Sequence, residues 1–386
     1  MKPFAPLYKT YLTDLPPSAH RSLRVLPEGI VDLASNDSLA LSRRPEVIAR
    51  AVEWLRRYGA GGRASRLVSG QHDGFIALEE KLARAKRTEA ALILGSGFQA
   101  NVTLLPALLD RRVLGSEPLV FADRLNHASL WQGLAAASGS GRRLRVQRFR
   151  HNDLDHLEKL LSESAAVDAP RFIITESLFS MDGDGPDLAR LIQLKTTFGA
   201  FLYLDEAHCT GMLGERGMGC ATRFPGQVDL VMGTFSKALG SYGAYVACGA
   251  DLRDYLVNRC AGLIYSTALP PAALGAVDAA LDLVPQMDGE RAQVLGMAAQ
   301  LRQGLRDLGS PVLPGQSHIV PILLGDADAA LSASAFLLAQ GFFCPAIRPP
   351  TVPEGGSRLR IALNPQLTPD VIRRLLEALA QLMQRI

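Results

Sequence analysis

The chain is poor in lysine. Of its 41 Lys and Arg residues only seven are Lys, at positions 2, 9, 81, 86, 159, 195 and 237. Charge of one sign is scarce too. The 41 basic and 38 acidic residues leave a net charge of +3, too small a surplus for an electrostatic footprint on nucleic acid. No apolar run is long enough to cross a bilayer, and Phe201–Leu204 is cut short by charge; no membrane partner is expected. The segment MKPFAPLYKTYLTDLPPSAH has no continuous apolar core and no small-residue cleavage site, so it does not read as a signal peptide. The five cysteines (209, 220, 248, 260 and 344) are odd in number, widely spaced and without a C-x-x-C pair. They read as reduced thiols in a cytoplasmic protein. No Cys/His set has zinc spacing, and His151 and His156, five apart, read as surface residues. No metal is expected. Internal repeats and low-complexity segments are absent as well.

What is present is an ordinary globular composition, 48% hydrophobic and 20% charged over 386 residues. That length suggests two domains or one large one. Residues 1–30 read as an irregular arm with scattered Pro. Pro45 to Tyr58 has Ile48, Val52 and Leu55 at helical spacing, with Pro in the first turn. Gly59 to Gly70 reads as a loop and His72 to Lys86 as a helix. Short apolar runs follow at Ala90–Leu94, Leu119–Ala122, Arg171–Thr175, Phe201–Leu204, Leu230–Met232 and Gly243–Cys248, alternating with helical stretches. That is the pattern of an α/β domain with a mostly parallel sheet. Beyond Pro270-Pro271 come helices, strands near His318–Leu324 and Ser357–Leu363, and a helix start at Thr368-Pro369-Asp370. The division is an arm over 1–40, a large domain over 41–275 and a smaller α+β domain over 276–386.

Ligands of open parallel sheets sit beyond the carboxyl ends of the strands. After Ala90–Leu94 comes Gly95-Ser96-Gly97-Phe98-Gln99, a turn of small residues before a helix, suited to an anion but without G-x-G-x-x-G spacing. After Phe201–Leu204 comes Asp205-Glu206-Ala207-His208. A helicase reading of these letters needs a G-x-x-x-x-G-K-[ST] loop, which is missing. After Leu230–Met232 comes Gly233-Thr234-Phe235-Ser236-Lys237-Ala238-Leu239-Gly240. Most lysines are solvated surface charges. One among small and apolar neighbours is desolvated, has a lowered pKa and becomes a nucleophilic amine able to form a Schiff base. His127 follows the strand Leu119–Ala122. A lone His is usually structural, but a strand end raises its interest. An anion-binding turn, an aromatic His, a strand-end Asp and a secluded Lys together suit pyridoxal phosphate. Its phosphate needs N–H donors, its ring a stacking partner, its pyridine nitrogen an anion and its aldehyde an amine.

The stretches ADRLNHASL, TESLFSMDGD, LDEAHCTGMLGERGMG, TFSKALG and LIYSTALPP resemble the α-oxoamine synthases, which are fold-type I pyridoxal phosphate enzymes. The resemblance runs from Ser35-Asn36-Asp37 to about Asn364. The segment from Cys344 to Pro353 is most similar to the branch that joins a pimeloyl thioester, on coenzyme A or an acyl carrier protein, to L-alanine in biotin synthesis. The resemblance implies a seven-stranded, mostly parallel sheet flanked by helices, with a smaller α+β C-terminal domain. It implies Lys237 as the amine that holds pyridoxal 5'-phosphate and moves the α-proton, Asp205 at the pyridine nitrogen and His127 stacked on the ring. His208 and Ser180 fall near the ring oxygen, and Gly97, Phe98 and Thr234 hold the phosphate. Ser266 and Thr267 reach the phosphate of a partner subunit, so active sites are shared across a homodimer. Arg348 holds the amino-acid carboxylate, with Thr351, Asn36 and Arg21 or Arg24 near substrate. Sister branches using glycine or serine, and a catalytically silent partner subunit, are the alternatives. A silent subunit is expected to lack Lys237 or Asp205, and both are here. Two departures stand out. The family's S-N-D-Y-L-G-L is here Ser35-Asn36-Asp37-Ser38-Leu39-Ala40-Leu41, and Cys209 stands where Gly is usual.

Overall fold

The computed structural model describes residues 4–139 and 144–385. Among them are twelve strands: β1 (Val31–Asp32), β2 (Ala90–Leu94), β3 (Leu119–Asp123), β4 (Arg145–Phe149), β5 (Arg171–Glu176), β6 (Ala200–Asp205), β7 (Leu230–Thr234), β8 (Ala244–Cys248), β9 (Ile319–Gly325), β10 (Phe342–Phe343), β11 (Ala346–Ile347) and β12 (Ser357–Ala362). Seven of them form the large sheet, in the order β2-β8-β7-β6-β5-β3-β4. Only β8 runs against its neighbours, β2 and β7.

The expected apolar runs are strands because both faces of this sheet are covered by helices. Ile93, Phe121, Ile173, Leu202 and Val231 point into one core with the helix Asp73–Lys86. Their neighbours Leu92, Val120, Phe172, Tyr203 and Met232 point into the other, with the helices Gly97–Leu108 and Ala128–Ser138. Strand β4 had no apolar run to announce it. It lies at the sheet edge, and only Phe149 of RVQRF is buried.

The helix Pro45–Tyr58 has the bounds its spacing predicts. It packs on the helix Pro271–Leu283, where Gly275 allows close approach: a Cβ there would lie 2.6 Å from the Arg50 carbonyl oxygen. Position 275 therefore falls inside a helix that rests on the large domain. Beyond it, β11, β12 and β9 form an antiparallel sheet. The helices Asp288–Asp307, Ala327–Ala339 and Pro369–Met383 accompany this sheet. The Thr368 hydroxyl caps the last helix, accepting the Val371 amide at 3.4 Å.

Two expectations are corrected. The arm is not wholly irregular, because Phe4–Asp14 is helical. Pro6 falls in the first turn, where its missing N–H costs nothing, and no Gly or Pro follows before Asp14. Strand β1 also ties the arm to β10 in a parallel pair. His151 is not a surface residue. Its Nδ1 meets Asp123 and its Nε2 meets Asp184, both at 3.1 Å, and its ring edge packs on Phe179.

Candidate functional site

The carboxyl ends of β5, β6 and β7 and the turn after β2 enclose a cavity of about 240 Å³. One wall is the start of the helix Gly97–Leu108, where the Ser96 hydroxyl accepts the Gln99 amide at 3.2 Å. The free amides of this first turn, with the nearby Thr234 hydroxyl, suit a phosphate. Thr234 is set by its hydroxyl bonds to the Gly243 carbonyl (2.8 Å) and the Ser236 hydroxyl (2.7 Å).

Asp205, the last residue of β6, is buried in this cavity. Asn101 Nδ2 donates to one of its oxygens at 2.9 Å and the Ala207 amide to the other at 2.8 Å. The Tyr203 hydroxyl in turn donates to Asn101 Oδ1 at 2.6 Å. Burial pushes the Asp205 carboxyl upward, opposed by the charge of Lys237 and by these hydrogen bonds. A cation brought to it, such as a pyridinium, gains strongly from this unpaired anion.

Lys237 follows β7 and lines the same cavity. Among the described residues its amine has no hydrogen bond or ion pair. Burial lowers its pKa to about 8 against the pull of Asp205 and Glu176. That leaves a sizeable neutral fraction near pH 7, as a nucleophile needs.

The His127 ring has a defined protonation. Its Nδ1 lies 2.7 Å from the Ser129 hydroxyl and accepts the Ser129 amide at 3.2 Å. Ser129 Oγ already accepts from Asn101 Nδ2 at 2.9 Å. The hydroxyl proton therefore points at Nδ1, and the ring proton sits on Nε2. Burial lowers the pKa of this ring and of His208. Both present neutral faces to the cavity.

Four residues were missed from the sequence. Asn101 and Ser129 hold Asp205 and His127 in place, which only the fold makes visible. Glu176 pairs with Asp205 across β5 and β6, and its Oε1 accepts the His127 amide at 2.6 Å. Burial and the neighbouring Asp205 push its carboxyl well above the usual range. The fourth is Arg360 of β12, which is 5% exposed. Its Nε donates to the Ser180 carbonyl at 2.6 Å and one terminal nitrogen to Asn36 Oδ1 at 3.2 Å. It forms no ion pair among the described residues. Burial pulls its pKa down to about 10, and its charge lowers that of Lys237 and His208.

The other expected residues lie apart from this cavity. Ser180 lines an adjoining space of about 600 Å³ that shares His127, together with Arg21, Arg124, Trp131 and Thr351. Arg348 lies in a third cavity of about 280 Å³ with Arg21, Arg24 and Thr351, and donates to the His20 carbonyl at 2.6 Å. Ser266 and Thr267 line a different crevice, where the Ser266 hydroxyl accepts from Gln99 Nε2 at 3.0 Å. Asn36 is present only through its bond to Arg360.

The cavity thus matches pyridoxal 5'-phosphate part by part: a first turn for the phosphate, a neutral ring face, a buried anion and an unpartnered amine. Comparison with known proteins agrees. The model of the family Aminotransferase class I and II matches residues 28–379. The 8-amino-7-oxononanoate synthase of Gluconacetobacter diazotrophicus is 49% identical over 98% of this chain and 97% of that protein. A serine palmitoyltransferase from Sphingomonas wittichii superposes with a TM-score of 0.87, at 26% identity, over 99% of this chain and 97% of the other. A variant of such an enzyme solved with PLP gives 0.87 at 26% identity over 99% and 98%.

Proposed function

We propose a function from one premise: the chain belongs to the aminotransferase class I and II family and, within it, to the 8-amino-7-oxononanoate synthases. It is a fold-type I, pyridoxal 5'-phosphate-dependent acyltransferase of biotin biosynthesis. Its reaction joins a pimeloyl thioester to L-alanine and yields 8-amino-7-oxononanoate, CO2 and a free thiol. The observation that carries this reading is the unpartnered Lys237 amine, in one cavity with the Asp205 anion and the first turn of Gly97–Leu108.

When bound, the cofactor supplies an electron sink for the alanine carbon that loses its proton. The remaining work falls to the chain. Lys237, whose buried amine is partly neutral, would hold the cofactor's aldehyde and, once alanine has displaced it there, would take the proton from alanine Cα. Asp205, oriented by Asn101 and Ala207, would keep a proton on the cofactor's pyridine nitrogen. His127, neutral and fixed by Ser129, would offer its ring face to the cofactor for stacking. Gly97, Phe98 and Thr234 would hold the phosphate, and His208, which lines the same cavity, would contribute beside the ring. Arg360 binds the alanine carboxylate, since a buried guanidinium without an anion is a site for one. Asn36 shares that end through its bond to Arg360.

The 600 Å³ space beside His127 takes the acyl donor. Leu125, Trp131 and Val352 suit its methylenes, and Arg21 and Arg124 suit its far carboxylate, with Thr351 at the edge. Arg348, in the cavity that shares Arg21, falls on this acyl side. The protein works in the cytoplasm as a homodimer. Its exposed Phe4, Leu7, Tyr8 and Tyr11 support a partner, as does Tyr265 beside Ser266 and Thr267, which then reach the other subunit's phosphate.

The test is a substrate panel with absorption spectra. Pimeloyl thioesters of coenzyme A and of acyl carrier protein, each with L-alanine, are turned over fastest, and L-alanine shifts the cofactor band. Faster turnover of acetyl thioester with glycine, or palmitoyl thioester with serine, replaces the substrate assignment and leaves the family intact.

A further inference from the structure

Past Asp205 the chain makes a tight double turn that ends at Cys220. The amides of Cys209 and Thr210 both donate to the Glu206 carbonyl, at 3.0 and 2.9 Å. The return is pinned by Gly211 N–H to the Gly217 carbonyl (2.7 Å) and Gly219 N–H to the Leu213 carbonyl (2.9 Å). Gly211, Gly214, Gly217 and Gly219 all have φ between +73° and +96°, a backbone that only glycine adopts cheaply. This frame sets two sulfurs face to face. The Cys209 thiol donates to Cys220 Sγ at 3.1 Å, and the Cys220 amide donates to Cys209 Sγ at 3.2 Å. Cys209 is fully buried, whereas Cys220 is partly open to solvent.

We propose that Cys209 and Cys220 are a reversible redox site: hydrogen peroxide joins them in a disulfide, and small thiols reopen it. Cys220 is the attacking sulfur. Its thiolate displaces hydroxide from peroxide and becomes a sulfenic acid. The Cys209 sulfur then attacks that sulfur, the S–S bond forms, and the hydroxyl leaves as water with the Cys209 proton. Two thiols give up two electrons and two protons, and one peroxide becomes two waters.

The local chemistry supports that order. The Cys209 hydrogen bond holds the Cys220 thiol below its ordinary pKa against the effect of burial, with help from Arg223 and Lys86 and opposition from Glu206. Burial pushes the Cys209 thiol well up, so it stays protonated until it resolves the intermediate. A bound metal is a weaker reading. Glu206, within 4.8 Å of both sulfurs, is already held by the buried Lys86 ammonium at 2.5 Å, and that charge repels a second cation.

A disulfide is about 2.05 Å long, so the sulfurs must close by about 1 Å. The moving turn carries His208, next to Cys209 and part of the cofactor cavity. Shifts of this size cost up to about 100-fold in rate, and we expect a loss of at least about threefold.

The test treats the full-length holoenzyme with hydrogen peroxide, blocks free thiols and maps the peptides by mass. The expected result is a peptide pair linked through Cys209 and Cys220, formed before oxidation at 248, 260 or 344 and reversed by dithiothreitol together with the turnover loss. Cys220→Ser keeps its untreated activity, because Cys220 lies outside the cavity, and does not lose turnover to peroxide. Cys209→Gly gives the same protection should the serine variant not fold. Finding sulfinic or sulfonic acid at Cys220 with no linked pair overturns the proposal. So does one zinc per chain that shields both thiols, or a linked pair with unchanged turnover. The peptide map is independent of which substrates the enzyme uses, so it stands or falls apart from the assigned reaction.

Discussion

Removal of Arg360 separates this account of amino-acid binding from one based on Arg348. A guanidinium has five N–H donors, and in Arg360 two of them are engaged, with the Ser180 carbonyl and Asn36 Oδ1. The remainder are available to a carboxylate in a setting that is 5% exposed. Truncating one partner of such a buried charge pair costs roughly 2–5 kcal/mol. At about 3 kcal/mol, and about 1.4 kcal/mol per decade, the Kd for L-alanine in Arg360→Met rises about 100-fold. The assay is titration of the cofactor absorption band with L-alanine, next to kcat/KM for alanine at saturating pimeloyl thioester. Loss of the Ser180 and Asn36 bonds destabilises the fold by about 1–3 kcal/mol, so melting is recorded alongside. Arg360→Lys, which keeps the charge and loses the fork, falls between. Arg348→Met shifts the alanine Kd by less than about threefold, because Arg348 sits in a separate cavity on the His20 carbonyl. The reasoning is refuted if Arg360→Met binds alanine like the parent while Arg348→Met does not.

Three further outcomes follow from the same geometry. Capture of pyridoxal 5'-phosphate by apoprotein speeds up as pH rises through about 8, where burial places Lys237; a rate still climbing tenfold per pH unit at pH 9 contradicts a lowered pKa. In His151, burial is outweighed by its bonds to Asp123 and Asp184, which raise it to about 10. A raised folded pKa gives stability that is complete below the ordinary value of about 6.5 and disappears as pH rises through the folded one. The stability gap between parent and His151→Gln, about 1–3 kcal/mol by urea unfolding at pH 6, should thus narrow toward pH 10, and a gap unchanged with pH contradicts the charged form. Ala40 sits at φ +54°, a backbone that glycine adopts more cheaply, so Ala40→Gly should raise stability by about 0.5–1 kcal/mol in the same assay, and a loss counts against backbone strain there.

How much of this was legible beforehand depended on whether a residue's role is local. Lys237, Asp205 and His127 stand at or just past the ends of apolar strands, and reading what stands there singles them out, whereas the role of Thr234 came only with the family resemblance. Arg360 was hidden by its own strand. In Ser-Arg-Leu-Arg-Ile-Ala the alternation reads as a strand with one wet face, yet β12 lies between β11 and β9 and both arginines are buried. Arg358 meets Asp182 at 2.7 Å and Arg360 meets Ser180, so the polar face packs on the loop after β5. Asn101, Ser129 and Glu176 act on groups distant in sequence, through contacts no periodicity announces. Cys209 was visible as a departure, but its partner Cys220 became apparent only once four left-handed glycines had folded the turn back.

Borohydride reduction of the purified holoenzyme, followed by peptide mapping, tests the central claim most directly. Reduction fixes the cofactor to the amine that holds it, and the chain offers only seven lysines. The pyridoxyl mass on the peptide containing Lys237, and on none of the other six, is the predicted result. The label on Lys86, Lys81 or any other lysine, or no label in a protein that still turns over substrate, would contradict it.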